Sequence, residues 1–247
     1  MTSSQLLAVT YDADEPGRAV RFWAGLLGRE VVGEAFLPGD DTQVGLRFVA
    51  SDPQQVVAKQ QRNNYLHLHV TSDSEDDQQQ KVAKALGLGG AHLDVGQLPE
   101  DGHIVLADPD GNAFCVIEAG NKFLAGCGLL GEVACDGGRA VGVFWSEALG
   151  WPLVWDQDDE TAIQSPHRGT KIAWGGAPDA PKTTRNRQRF ELAPAGGTQQ
   201  AEIDRLTALG ATVVETAGTG TVTLADPGGN EFTLAQASSA QLESYAR

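Results

Sequence analysis

The chain has 247 residues, 41% hydrophobic and 21% charged, which is ordinary composition for a globular protein and excludes wholesale disorder or a long coiled coil. Eighteen Lys and Arg against 33 Asp and Glu leave a net charge of −15, a surface that repels phosphate backbones and anionic lipid, so neither nucleic acid nor a membrane is expected as a partner. No apolar run is long enough to span a bilayer and no basic-then-apolar leader opens the chain; with only three cysteines (Cys115, Cys127, Cys135) and no C-x-x-C spacing, the expectation is a cytoplasmic protein without a disulfide framework.

In chain order, Leu6 to Tyr11 reads as a short apolar strand. Asp14 is the expected N-cap of the following helix, with Pro16 in its first turn, an apolar face at Val20, Trp23, Ala24 and Leu27, and Gly28 as its stop. Val44 to Ala50 alternates like a strand. Leu66, Leu68 and Val70 form the apolar face of the next strand, opposite Tyr65, His67 and His69. Asp73 or Ser74 can cap a polar-faced helix ended by Gly87. Ile104–Ala107 and Phe114–Ile117 flank Asp108-Pro-Asp-Gly-Asn112, a strong hairpin signal.

The second half copies this plan. Phe22-Trp23 and Leu27-Gly28 return as Phe144-Trp145 and Leu149-Gly150 at a spacing of 122. Leu106-Ala-Asp-Pro-Asp-Gly-Asn112 returns as Leu224-Ala-Asp-Pro-Gly-Gly-Asn230 at 118, each followed two residues later by Phe. Blocks in the same order with similar spacing mark a tandem duplication. The repeats run over residues 4–120 and 129–237, joined by residues 121–128, and the charge is shared, −9 in residues 1–123 and −6 in the remainder.

These blocks resemble the vicinal oxygen chelate superfamily, the fold of glyoxalase I, bleomycin-resistance proteins and extradiol dioxygenases. Phe-Trp-x-x-x-Leu-Gly and the closing Asp-Pro-x-Gly-Asn hairpin carry the resemblance, each twice. It implies an α+β fold: tandem glyoxalase-like domains built from four βαβββ modules whose curved sheets enclose cups. It also implies a small-molecule ligand and, in many relatives, a divalent metal held by His, Glu or Gln on the first strand and Glu on the last strand of a module. Counted from the motifs, those positions fall at about Ala8, Leu130, Tyr65 and Arg187 and at Cys115 and Thr233. None is a His or Glu, so the expectation is that the family metal site is absent and no cofactor is required; a divalent metal remains an alternative.

Two groups could fill the cups instead. Tyr65, His67 and His69 share one strand face, where two imidazoles at i and i+2 could bind an anion, move a proton, or hold a metal together with Cys115 and Asp12. Arg187, Arg189 and Glu191 occupy the equivalent face of the second half, with Lys182 and Arg185 just upstream, the basic cluster of an acidic chain and a candidate anion clamp. Both groups have a structural alternative, hydrogen bonding or ion pairing with their neighbours. Trp23 and Trp145 read as core, Asp108 and Asp226 as turn residues, and His92, His103 and His167 as exposed. The reading is a small-molecule-binding protein without the family metal; the alternative is a metal-dependent or His-based lyase, isomerase or dioxygenase. Four modules can close the cups within one chain, so a monomer is sufficient, and a homodimer is equally compatible.

Overall fold

The computed structural model describes residues 3–51, 65–98, 100–176, 182, 184–216 and 220–236. Four modules follow one another. The first is β1 (Ser4–Ala13), α1 (Pro16–Leu27), β2 (Phe36–Leu37) and β3 (Leu46–Ala50). The second is β4 (Leu66–Val70), α2 (Glu75–Gly87), β5 (Ala91–His92), β6 (Ile104–Ala107) and β7 (Ala113–Val116). The third is β8 (Leu130–Cys135), α3 (Arg139–Leu149), β9 (Leu153–Gln157), β10 (Glu160–Gln164) and β11 (Lys171–Trp174). The fourth is β12 (Gln188–Pro194), α4 (Gln199–Ala208), β13 (Thr212–Thr216), β14 (Val222–Ala225) and β15 (Glu231–Leu234).

Local chemistry accounts for the helix ends. Gly28 and Gly150 close α1 and α3 in the left-handed conformation, at φ 68° and 66°, which a side chain would disfavour. Ser74 caps α2 by accepting the Asp77 amide, and Thr198 caps α4 by accepting that of Ala201. The expected cap of α1 is corrected: Glu15 occupies that position without a side-chain cap, while the Asp14 amide donates to Asp110 Oδ2 at 2.9 Å. Asp108 and Asp226 are turn residues as expected. Asp108 accepts from the amides of Asp110 and Asn112, Asp226 accepts from those of Gly228 and Asn230, and each also accepts the indole N–H of its module's Trp, Trp23 or Trp145.

The strands form two mixed sheets, and each sheet draws on both halves of the duplication. Sheet A has the order β13-β14-β15-β12-β1-β3-β2 and joins the first module to the fourth. Sheet B has the order β5-β6-β7-β4-β8-β11-β10-β9 and joins the second to the third. At each centre the first strands of two modules run antiparallel, β1 against β12 and β4 against β8. A cup confined to each sequence half is therefore not what forms: the arginine strand β12 lies beside β1, and the histidine strand β4 lies beside β8. Helices α1 and α3 bind the layers together. Trp23 of α1 meets Phe114 of sheet B edge-on at 5.1 Å. Trp145 of α3 stacks on Trp174 of sheet B and meets Phe190 and Phe232 of sheet A. Trp23 and Trp145 are each 1% exposed, as expected of core residues. Truncating such a side chain to alanine costs about 3–5 kcal/mol.

Candidate functional site

The alternation of β4 sorts its side chains. Leu66, Leu68 and Val70 enter the main core, while His67 and His69 point to the opposite, concave face of sheet B; Tyr65, just before the strand, is buried in the main core and also reaches the concave side. Strand register then sets a row across that face. Cys115 of β7 pairs with His69 of β4, His69 with Glu132 of β8, and Glu132 with Lys171 of β11. His69 Nδ1 lies 2.6 Å from Glu132 Oε2. Glu132 is a carboxylate inside an otherwise apolar strand and is 7% exposed, a burial that requires such a partner.

The two histidines are driven apart electrostatically. Burial disfavours the charged form of His69, but hydrogen bonds to Cys115 and Glu132 outweigh it and push its pKa up to about 9. Among the described residues, no carboxylate pairs with His67 in this way. Burial, then the charges of His69 and His103, lower its pKa to about 4. At neutral pH a neutral imidazole thus stands beside an imidazolium, with ring centroids 4.8 Å apart.

Above this face opens a cavity of about 1370 Å³. Its polar side includes His67, Glu132 and Lys171, and its apolar side Phe123, Trp155 and Trp174. Phe123 and Trp155 meet edge-on at 6.2 Å, and the Lys171 ammonium lies 4.1 Å over the Phe123 ring. Phe123 belongs to the segment joining the two repeats. The same segment sends Leu124 and Cys127 onto the concave face, where they pack with Cys115, Val105 and Ile117. The joining segment is therefore part of the cup. At the floor, Tyr65 is buried; its hydroxyl donates to Asp226 Oδ2 and accepts from the Trp174 indole, both at 3.4 Å.

Sheet A carries a different row. Glu191 of β12 pairs with Thr233 of β15 on one side and Ala8 of β1 on the other. Here the candidate ligand groups bind one another. Arg47 holds Glu191 at 2.6 Å, Arg189 holds Asp12 at 2.6 Å, and Arg187 donates to the Asp12 carbonyl and to Asn112. The structural alternative weighed for this cluster, ion pairing, is what the geometry shows for Arg189 and Glu191. Lys182 likewise pairs with Glu231, whereas Arg185 is exposed. Asp12 is corrected: it stands with Arg189 on sheet A and not with the histidines. Of the isolated histidines, His92 and His167 are exposed as expected, while His103 is half-buried.

Counting from the motifs lands on Leu130, two residues short of Glu132, and on Tyr65, four short of His69. The sequence carried one usable signal, a lone carboxylate in an apolar strand. His67, His69 and Cys115 bring three donor atoms within 4.8 Å of one another. Two imidazoles and a thiol suit a thiophilic divalent ion such as Zn²⁺ better than oxygen-seeking Mg²⁺ or Mn²⁺, and binding would first require the His69 proton to leave.

Residues 8–117 and 132–235 both match the model of the glyoxalase-like domain. The chain belongs to that family, with two copies in tandem, and its fold is that of the vicinal oxygen chelate superfamily. Glyoxalase I from Zea mays superposes with a TM-score of 0.64 at 17% identity, covering 99% of this chain and 96% of that one. A putative dioxygenase from Bacillus subtilis subsp. subtilis str. 168 superposes with a TM-score of 0.55 at 12% identity, covering 95% and 86%. At such identities the likeness extends to the fold alone. No curated protein matches the sequence.

Proposed function

We infer that this chain is a small-molecule-binding member of the glyoxalase-like family, its ligand seated in the cup of sheet B. The observation that carries this reading is the 1370 Å³ cavity, which pairs an aromatic wall with a few convergent polar groups, the usual design of a small-molecule site. The polar groups of sheet A are largely spent on each other, which favours sheet B as the working cup. The two sequence domains are taken as residues 4–120 and 129–237. Each cup is completed within one chain, so a monomer suffices. Among the described residues no helix is long and apolar enough to cross a membrane. Three buried free cysteines fit a reducing, cytoplasmic setting.

The test is thermal stabilisation by a panel of anionic, neutral and cationic metabolites. A ligand present at 100 times its Kd stabilises by about 2.7 kcal/mol, a readily measured shift. The reading expects at least one such ligand whose effect disappears in Trp155→Ala and in His67→Ala. A panel with no stabilising member at saturation contradicts it.

A second reading is enzymatic. A neutral and a charged imidazole side by side supply a base and an acid, the arrangement from which acid–base roles are assigned. A lyase, isomerase or dioxygenase of this fold would use that pair, or a divalent ion on His67, His69 and Cys115. Turnover lost in His67→Ala with melting retained, or one equivalent of metal found by elemental mass spectrometry, would establish it in place of simple binding.

A further inference from the structure

We propose that the cup of sheet B takes an aromatic acid, its planar ring against Trp155 and Phe123 and its anionic group on the Lys171 ammonium. The proposal rests on sheet B being the working cup and adds the class of ligand. Lys171 stands on β11 beside Glu132, half-buried, and lines the cavity. Its ammonium donates to the Phe123 carbonyl and lies over the Phe123 ring, which leaves N–H donors to spare. Among the described residues it makes no ion pair, because Glu132 turns its carboxylate the other way, to His69. Burial penalises a charge without a partner, so a half-buried lysine in this state points to an anion from outside the chain.

The duplication shows what such a cation takes. Thr10 and Glu132 are equivalent at the repeat spacing of 122, and each pairs with a cation on the neighbouring parallel strand, Thr10 with Arg47 and Glu132 with Lys171. Both cations lie over a phenylalanine ring, Arg47 at 4.3 Å over Phe36 and Lys171 at 4.1 Å over Phe123. In sheet A a carboxylate from the central strand β12, Glu191, meets Arg47 at 2.6 Å. The matching central strand of sheet B, β4, is Leu-His-Leu-His-Val and has no acid to send. A carboxylate carried by the ligand takes the place that Glu191 fills in sheet A.

The next row supplies the apolar part. Ala134, Ala173, Ala162 and Trp155 are register partners across β8, β11, β10 and β9. Ala134 and Ala173 line the cavity and leave a flat floor, about 7 Å along β11 from Lys171, a span that a fused bicyclic acid covers. Trp155 walls this floor with Phe123 edge-on to it, and is 42% exposed. A ring laid there covers an indole that the chain itself leaves open. Asp136 and Glu160 also line the cavity, but beyond the row of Trp174, roughly 10 Å from Lys171 along the strands, so they turn the ligand's anion toward Lys171.

The experiment is titration calorimetry of the full chain with four matched probes: naphthoate, its neutral carboxamide, its aminomethyl analogue and the saturated decalin carboxylate. Naphthoate is expected to bind on the order of tenfold or more tighter than each of the other three. Lys171→Met should bring naphthoate down to the level of the carboxamide and leave the carboxamide unchanged, whereas Lys171→Arg should keep the preference. Equal binding of naphthoate and the carboxamide, tighter binding of the aminomethyl compound, or a preference that survives in Lys171→Met overturns the proposal. So does equal binding of the decalin carboxylate, or no binding by any of the four. If Lys171→Met disturbs the joining segment, the carboxamide weakens as well, and the four-way comparison on the native chain decides. A stabilising ligand from the wider metabolite panel that is not an aromatic acid would leave the cup reading standing while this proposal falls, so the two can fail separately.

Discussion

His69 is the residue on which the chemistry of sheet B turns. Its unfolded-state pKa is near 6.5 and its folded value about 9, so the native state binds the proton more tightly. The stabilisation is complete below pH 6.5 and is lost as pH rises through 9. His67 behaves oppositely. Its folded value of about 4 means that the stability held above pH 6.5 is lost as pH falls through 4. From this pair a melting temperature that peaks near pH 6.5 is predicted, and His69→Gln should remove the decline on the alkaline side. A decline that survives in this variant assigns it to other groups. The face shared by His67 and His69 was legible because strand alternation is local, whereas Tyr65, expected on that face, is also buried in the main core. Glu132 was not, because its partner is set by the pairing of β4 with β8, 63 residues apart in sequence. Asp12 was misplaced for the same reason: sheet A, and not its own sequence half, decides its neighbours.

At the scale of elements, the duplicated motifs were the most legible feature because they encode contacts within one module. Trp23 with Asp108, and Trp145 with Asp226, tie each half's first helix to its closing hairpin. Removing Asp226 as Asp226→Ala strands the buried Trp145 N–H and the turn amides, a loss of about 3 kcal/mol checked by denaturant unfolding. Helix α3 makes a sharper prediction. A Cβ on Gly142 would collide with the Thr161 side chain of β10, so Gly142→Ala should destabilise by about 1–3 kcal/mol despite alanine's helix propensity. Gly87, at the end of α2, faces open space, and Gly87→Ala should be neutral or stabilise by up to about 1 kcal/mol. The joining segment was read only as a connector. Its place over the cup comes from Phe123, Leu124 and Cys127, which carry no periodic signal of their own.

At the scale of the molecule, two repeats in sequence become two sheets that each borrow from both. Either repeat alone would leave β1 or β12, and β4 or β8, with an open central edge. Residues 1–123 or 124–247 expressed separately should dimerise or aggregate, while co-expressed halves should reassociate; light scattering distinguishes this from a stable monomeric half. The family and fold could be read from the motifs, because they lie at helix starts and hairpins. Which cup works could not, because it depends on how Arg47, Arg187 and Arg189 are matched across strands.

The proposed function places the ligand on sheet B and not on sheet A. Hydrogen–deuterium exchange with a stabilising ligand tests it most directly. Added protection is expected in β4, β8 and β11 and in residues 121–128, with β1, β3 and β12 unchanged. Protection centred on β1, β3 and β12 would contradict it and make the arginine-lined sheet the binding face.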